Sequence, residues 1–260
     1  MKIPTRHNLF DISFRFVNAA SDAVMSRLPG EKFECPVCVR KVRLTPMISS
    51  TGLRRHARCP GCGSLERHRL QAFVVNDRVL PVFASRSPRV LHVAPEPTIR
   101  ALLEPIAGRY VTADYALPGM DLRLDLRSTG LPDASFDIVY ASHVLEHIDR
   151  DRDALREIRR ILAPGGLAVL PVPLVGPTTV EYQAPNPMEA FHVRAPGYDY
   201  YERYREFFDQ VDVVTSDDAP GSAQTYVYED RSGFPTRTMP DRLPSSGRRH
   251  LDAVPLCWAV

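Results

Sequence analysis

The sequence predicts an α/β protein in which a parallel sheet follows a small cysteine-rich segment. From residue 89 onward, short apolar runs alternate with amphipathic stretches, as expected for strands joined by helices. Upstream of these runs, two Cys-x2-Cys pairs lie close together in the chain. We therefore expect an N-terminal extension over residues 1–34, a cysteine-rich segment with a linker helix over 35–80, and the sheet domain over 89–260.

Four cysteines form two pairs, Cys35 with Cys38 and Cys59 with Cys62, separated by twenty residues. Each pair can direct two thiolates at one ion, so the spacing predicts a closed, structural zinc site of the zinc-ribbon type. Iron is the alternative metal for such a site. Two disulfides are the other alternative, but no signal peptide is seen and a reducing compartment is expected. Cys257 is expected to be a buried core thiol.

The chain is nearly neutral, with 33 Lys and Arg against 31 Asp and Glu, whereas the cysteine-rich segment is basic. Its basic residues, opposed only by Glu66, are Arg40, Lys41, Arg43, Arg54, Arg55, Arg58, Arg67 and Arg69. They can dock a phosphate-rich partner such as RNA. They can equally form a solvated face, which the lack of interleaved aromatic residues favours. No apolar run of about eighteen residues occurs, so we expect no membrane span and a cytoplasmic protein.

The sheet domain begins with Arg89–Val93, a short apolar run that predicts a buried parallel strand. A helix is expected at Thr98–Ala107, with Gly108 as its stop signal. A second strand follows at Tyr110–Asp114. The later elements expected are a short strand at 122–125, a strand at 135–140, a helix at 151–162, and strands at 167–172, 211–214 and 254–260. Because strands and helices alternate, ligands should bind beyond the carboxyl ends of the parallel strands.

Two further stretches lie outside these predicted strands and helices. Apolar spacing over residues 65–80 predicts a helix that leads out of the cysteine-rich segment. Residues 219–249 contain scattered prolines and glycines and show no regular pattern. A connection of this length is either a mobile lid over the binding site or a disordered surface loop.

Two motifs in the sheet domain resemble the core of class I S-adenosylmethionine-dependent methyltransferases of the type 11-like group. They are Ser135-Phe-Asp-Ile-Val-Tyr-Ala-Ser-His-Val-Leu-Glu-His147 and Leu155-Arg-Glu-Ile-Arg-Arg-Ile-Leu-Ala-Pro-Gly-Gly166. The cysteine pairs and the turn at residues 93–96 resemble a bacterial subgroup with an N-terminal zinc-ribbon-like segment. The resemblance implies a Rossmann-like, seven-stranded, mostly parallel sheet with an antiparallel last strand.

The resemblance also implies S-adenosyl-L-methionine as cofactor, bound at the strand ends. Asp114 would accept hydrogen bonds from the ribose hydroxyls and Asp125 from the adenine amino group. The cofactor-binding residues expected are Val93, Ala94, Pro95, Glu96, Asp114, Tyr115, Asp125, Leu126, Ser142 and His143. Ser142 is alternatively a helix cap.

The first loop, Ala94-Pro-Glu-Pro97, lacks the glycines that most members of the superfamily carry there. Its prolines stiffen the loop and remove two donors, so the cofactor would be met by backbone groups of Ala94 and Glu96, or by the Glu96 carboxylate facing its cationic sulfonium or amino group. The loop is therefore either a rigid variant of the cofactor loop, which the other strand-end acids favour, or part of a site that has lost catalysis.

Methyl transfer to a hydroxyl or amine needs a group that takes up the proton of the acceptor, and histidine is suited to that task. The candidates are His143, His147 and His192, each of which can also be a structural residue. Arg194 would hold an anionic group of the substrate. Tyr198 and Tyr200 would line the acceptor pocket, although neighbouring tyrosines at helical spacing can simply be core.

We therefore expect a methyltransferase acting on a small molecule or a glycan-type metabolite. The first alternative is an RNA methyltransferase that docks its substrate on the basic segment. The second is a non-catalytic binding module with a degenerate cofactor site.

Overall fold

The computed structural model describes residues 18, 22, 24, 28–49, 52–237, 244 and 247–260. Most of the predicted N-terminal extension lies outside these described residues. The strands are β1 (Phe33–Cys35), β2 (Arg40–Val42), β3 (Thr45–Ser49), β4 (Gly52–Arg58), β5 (Arg89–Val93), β6 (Arg109–Asp114), β7 (Leu122–Arg123), β8 (Phe136–Ala141), β9 (Leu162–Val169), β10 (Val180–Asn186), β11 (His192–Ala195), β12 (Gln210–Thr215), β13 (Tyr228–Glu229) and β14 (Ala253–Ala259). The α-helices are α1 (Glu66–Val74), α2 (Leu80–Phe83), α3 (Pro97–Leu103), α4 (Asp151–Ile161) and α5 (Tyr200–Arg205).

Seven strands form the central sheet in the order β12-β14-β9-β8-β5-β6-β7. Strands β5 to β9 pair in parallel, and β14 runs antiparallel to both of its neighbours. This arrangement confirms the predicted Rossmann-like, mostly parallel fold. Because neighbouring strand positions face opposite sides, Leu91 packs with α4 and α5 on one face, and Val90 packs with α1 and α3 on the other.

Several element boundaries differ from the sequence expectation: the helix expected over 65–80 is α1 with a π-helix at 75–79 and then α2, and the strand expected at 122–125 ends at Arg123. Two further differences have a local reason. Helix α3 ends at Leu103 and continues as a 3-10 turn, Glu104–Ile106. Pro105 lacks the N–H that an α-helix would need at this position. Strand β9 begins at Leu162, five residues before the expected start, because Phe136 of β8 already pairs with Leu162.

The cysteine-rich segment has two small sheets. Strands β1 and β2 form an antiparallel pair, and β3, β4 and β13 form a second sheet. Strand β13 belongs to the stretch 219–249, for which the sequence predicts a mobile lid or a disordered surface loop. The described part of that stretch instead adds a strand to β4, where Tyr228 pairs with Arg55.

Helix α1 follows the second cysteine pair and carries a fully buried arginine, Arg69. Its guanidinium donates hydrogen bonds to the carbonyls of His56, Ala57, Ser64, Ala223 and Gln224. The side chain therefore ties β4, the second cysteine pair and the connection before β13 to one helix. Arg69 is one of the eight basic residues that the sequence predicts for a basic face, and its burial removes it from that face.

Among the described residues, no helix has the length and apolar character needed to cross a membrane.

Candidate functional site

A cavity of about 500 Å³ opens at the carboxyl ends of β5, β6 and β8. This is the edge at which ligands bind in parallel α/β sheets, and the volume is in the range of ligand pockets. We call it the strand-end cavity. Its lining residues are Val93, Ala94, Asp114, Tyr115, Ala116, Leu124, Asp125, Leu126, Arg127, His143, Val144, His147, Ile148 and Asp149.

Asp114 lies at the end of β6 and lines the strand-end cavity. Its Oδ1 accepts hydrogen bonds of 2.7 Å from the backbone N–H groups of both Ala116 and Leu117. These bonds fix the orientation of the carboxylate. Among the described residues no donor binds Oδ2, so this oxygen can accept hydrogen bonds from a ligand such as the ribose of S-adenosylmethionine.

Asp125 also lines the cavity, but its carboxylate is engaged by Arg127. Arg127 reaches a second carboxylate, Asp149, at 2.8 Å. The hydrogen bond from Arg127 lowers the pKa of Asp125, so the carboxylate stays ionised. Arg127 and Asp149 are cavity residues that the sequence did not predict, since neither stands at the end of a strand.

The first loop forms a sharp turn without glycine because Ala94 adopts a left-handed conformation, with φ of 48°. Its backbone N–H donates to the carbonyl of Ala113 at 2.8 Å, and the residue lines the cavity. A short side chain therefore occupies a position where glycine is usual.

Pro95, Glu96 and Ser142, all predicted to bind cofactor, do not line the cavity. Glu96 instead binds helix α1, with Oε1 2.9 Å from both Arg67 and His68. Burial alone would raise the pKa of Glu96, but the hydrogen bond from His68 and the charge of Arg67 outweigh it and lower the pKa. One oxygen of this carboxylate is therefore bound by α1, whereas Oε2 is buried without a hydrogen-bond partner among the described residues.

Ser142 is buried and accepts a hydrogen bond of 3.1 Å from Gln71 of α1. The same amide accepts a hydrogen bond from the hydroxyl of Tyr140 at 2.8 Å. Ser142 is thus neither a pocket residue nor a helix cap. It connects the end of β8 to α1.

The three candidate histidines lie around Glu146, a residue for which the sequence predicted no role. His143 and His147 line the cavity, and the rings of His147 and His192 are 4.6 Å apart between centroids. Burial lowers the pKa of His192 to about 4. Burial would raise the pKa of Glu146, but the adjacent His143 and the other two imidazoles lower it. We call these four residues the Glu146 cluster.

The roles predicted for Arg194 and Tyr200 do not fit their positions, because both side chains are buried and already bound. Arg194 donates to the carbonyls of Leu145, Ile148 and Asp149, and Nε lies 3.0 Å from Glu181. The hydroxyl of Tyr200 donates to Asp151 at 2.7 Å. Arg194 therefore holds the turn after β8, and Tyr200 holds the start of α4.

Tyr198 remains available, since 44% of its surface is exposed. Tyr201 and Tyr204 are buried in the same cluster as Tyr200, which confirms the alternative that these helix-spaced tyrosines are core. Cys257 is fully buried, as expected.

The four cysteines of the N-terminal segment meet at one point as free thiols. The sulfur of Cys35 lies 3.7 Å from that of Cys62, and the sulfur of Cys38 lies 3.8 Å from that of Cys59. Four sulfurs at about 2.3 Å from a tetrahedral zinc ion are about 3.8 Å apart. The four-cysteine cluster therefore fits a closed tetrahedral metal site.

Several basic residues of this segment are neutralised by acids. Arg54 pairs with the buried Glu66 at 2.6 Å, Arg58 pairs with Asp22, and Arg67 pairs with Glu96. The segment thus presents fewer free cations than its sequence suggests.

Residues 83–170 match the family of methyltransferase domains. No curated protein is similar to the chain in sequence. Among solved structures, the chain resembles a proposed sarcosine dimethylglycine methyltransferase from Galdieria sulphuraria, with 9% identity and a TM-score of 0.50 over 76% of this chain and 89% of that one. It also resembles an S-adenosylmethionine-dependent methyltransferase from Mesorhizobium loti, with 16% identity and a TM-score of 0.46 over 72% of this chain and 97% of that one. At such identities, the first of these likenesses supports a shared fold alone.

Proposed function

We propose that this S-adenosylmethionine-dependent methyltransferase, whose residues 83–170 match the family of methyltransferase domains, methylates a hydroxyl or amine of a small molecule or glycan-type metabolite. The strand-end cavity is the observation that carries the proposal. It joins the oriented carboxylate of Asp114 to a group of imidazoles that includes His143 and His147. One end suits the cofactor, and the other suits an acceptor.

The cofactor supplies an activated methyl group when bound, so the protein has mainly to align the acceptor and to exclude water. We propose that Asp114 binds the ribose, that Asp125 and Tyr115 lie beside the adenine, and that Ala94 approaches the methionine part. Apolar side chains complete the walls, with Val93, Leu126 and Ile148 among them. His143, His147 and His192 stay our candidates for contact with the acceptor.

A small acceptor fits the charge distribution better than RNA does. A nucleic-acid groove needs unpaired cations and stacking aromatic rings. In the cysteine-rich segment, Arg54 and Arg67 are paired with carboxylates and Arg69 is buried. We further propose that zinc occupies the four-cysteine cluster and stabilises the fold.

The proposal is tested by calorimetric titration of the metal-replete protein with S-adenosylmethionine and S-adenosylhomocysteine. We expect the wild type to bind both ligands and Asp114→Asn to bind them at least about tenfold more weakly. The change replaces the carboxylate oxygen that we propose accepts hydrogen bonds from the ribose hydroxyls. Asp133→Asn, which removes a surface carboxylate outside the cavity, serves as the matched control and should bind like the wild type.

If neither S-adenosylmethionine nor S-adenosylhomocysteine binds to folded wild-type protein, the proposed function is wrong and a non-catalytic binding module is favoured. A steep decline of RNA binding with salt would favour the RNA alternative. Cofactor binding without RNA binding leaves the small-molecule acceptor, and an acceptor screen then follows.

A further inference from the structure

Glu146 is a buried carboxylate whose presence is not explained by cofactor binding. The residue is fully buried, and among the described residues neither of its carboxylate oxygens has a hydrogen-bond partner. Two imidazole nitrogens lie close to Oε1: Nδ1 of His143 at 3.3 Å and Nε2 of His192 at 3.9 Å. An ionised group that is buried without hydrogen bonds is costly, and a bound cation removes that cost.

The surrounding side chains supply the ligands that such a cation would need. Glu146, His147 and His192 each offer one ligand atom, and these atoms all lie within 4.8 Å of one another. Two ligands at about 2.1 Å from one ion can be at most about 4.2 Å apart. Closing the remaining gap takes only small side-chain rotations, which the exposed ring of His147 can make.

The backbone already holds these residues together. Glu146 and His147 lie in the 3-10 turn Leu145–His147, and His192 begins β11. Arg194 of the same strand donates to the carbonyls of Leu145 and Ile148, at 2.7 Å and 2.6 Å. This buried arginine fixes the turn against the strand, so the three ligands are positioned before any ion binds.

We propose that Glu146, His147 and His192 bind a divalent transition-metal ion beside the strand-end cavity, and that this ion binds a hydroxyl group of the acceptor. Two imidazoles and one carboxylate are the ligand set of catalytic zinc sites and of non-haem iron sites, which keep open positions. His147 also lines the cavity, so those open positions have access to it. The four-cysteine cluster, by contrast, is closed.

The inference about the acceptor rests on the proposed function. A hydroxyl bound to a divalent ion releases its proton more readily, and the proton leaves to water through the open cavity. An oxygen lone pair then forms the bond to the methyl carbon. The bond between this carbon and the sulfonium sulfur breaks, and its electron pair stays on sulfur as a neutral thioether. The acceptor class is therefore an alcohol or phenol and not an amine.

Metal content is the first measurement. Wild-type protein loaded with Zn²⁺ and freed of excess metal should hold two ions per chain, one in each cluster. Glu146→Gln and His147→Gln should hold one, with at least about 100-fold weaker binding of the second ion, since loss of an outer-shell partner alone costs about 10- to 100-fold. His250→Gln, which changes a histidine outside the cluster, should still hold two.

Loading with Co²⁺ assigns the sites separately, because only the cysteine cluster gives thiolate-to-cobalt absorption. We expect one such ion in every variant and a second ion without these bands in the wild type. A single ion in the wild type, or two ions in both Glu146→Gln and His147→Gln, overturns the metal site. Since His147 is exposed, its variant remains informative if Glu146→Gln does not fold.

Titration with S-adenosylhomocysteine on the same samples separates this inference from the proposed function. Two ions together with cofactor binding supports both proposals. Two ions without cofactor binding keeps the metal site and overturns its role in methyl transfer. One ion with cofactor binding overturns the metal site alone.

Discussion

At the scale of single residues, Ala94 shows how the first loop works without glycine. Its left-handed backbone conformation, with φ of 48°, costs about 1–2 kcal/mol for a residue with a side chain. The loop keeps this conformation because the N–H of Ala94 binds the carbonyl of Ala113 and the following Glu96 is anchored to α1. The missing glycine is thus offset by contacts elsewhere, which supports a variant cofactor loop over a degenerate one.

His92 makes the stability of the fold depend on pH. This residue of β5 is fully buried, and its Nδ1 lies 2.6 Å from the hydroxyl of Tyr110. Burial lowers its pKa to about 4, against the attraction of Glu96 and with a small contribution from Arg100. In the unfolded chain the His92 imidazole binds a proton near pH 6.5, whereas in the folded chain it stays neutral down to about pH 4. Between these values the unfolded state binds more protons, so stability falls as the pH falls.

We expect His92 to remove about 3 kcal/mol of unfolding free energy between pH 7 and pH 4, at about 1.4 kcal/mol per pH unit. His92→Gln keeps a partner for Tyr110 without the titration, so its unfolding free energy should fall less over this range. Urea unfolding at a series of pH values gives the two slopes. Parallel slopes for wild type and variant would show that His92 does not carry this dependence.

At the scale of elements, helix α1 holds the loops at the carboxyl ends of β5 and β8 from outside the cavity. Arg67 and His68 hold Glu96 of the first loop, and Gln71 joins Tyr140 to Ser142 after β8. The helix comes directly from the second cysteine pair. The two loops that border the cavity are therefore held by a helix whose start is set by the cysteine cluster.

Replacing Gln71 by leucine tests this connection. The change leaves two buried hydroxyls without partners, so we expect a loss of about 2–4 kcal/mol in unfolding free energy. Binding of S-adenosylhomocysteine should also weaken, because Ser142 precedes the cavity residue His143. Gln210→Leu is the matched control, since the exposed side chain of Gln210 donates to the nearby, exposed Asp212. Equal urea midpoints for the two variants would rule out a bridging role for Gln71.

At the scale of the whole molecule, the cysteine-rich segment and the sheet share a boundary of buried polar contacts. Arg69 binds carbonyls from both the segment and the connection to β13. We propose that the two parts form one cooperative unit rather than independent domains. The ion in the four-cysteine cluster then supports cofactor binding without touching the cofactor.

Loss of the ion from the four-cysteine cluster should therefore weaken ligand binding at the strand-end cavity. In Cys62→Ser we expect one ion fewer per chain, a lower melting temperature and at least about tenfold weaker binding of S-adenosylhomocysteine, because structural zinc contributes folding energy directly. Cys257→Ala, a core cysteine outside the cluster, should retain the metal. Unchanged cofactor affinity in metal-depleted Cys62→Ser would show that the segment and the cavity are independent.

The sequence by itself determined the parallel sheet, the four-cysteine cluster and the strand-end positions of Asp114 and Asp125. Each depends on local spacing: apolar runs of strand length, paired cysteines, and acids that follow a strand. Only the tertiary structure decided which way Glu96, Ser142 and Arg194 point, because their partners lie tens of residues away in the chain. It likewise brought Glu146 and His192 together, since the turn after β8 and strand β11 meet only when the chain is folded.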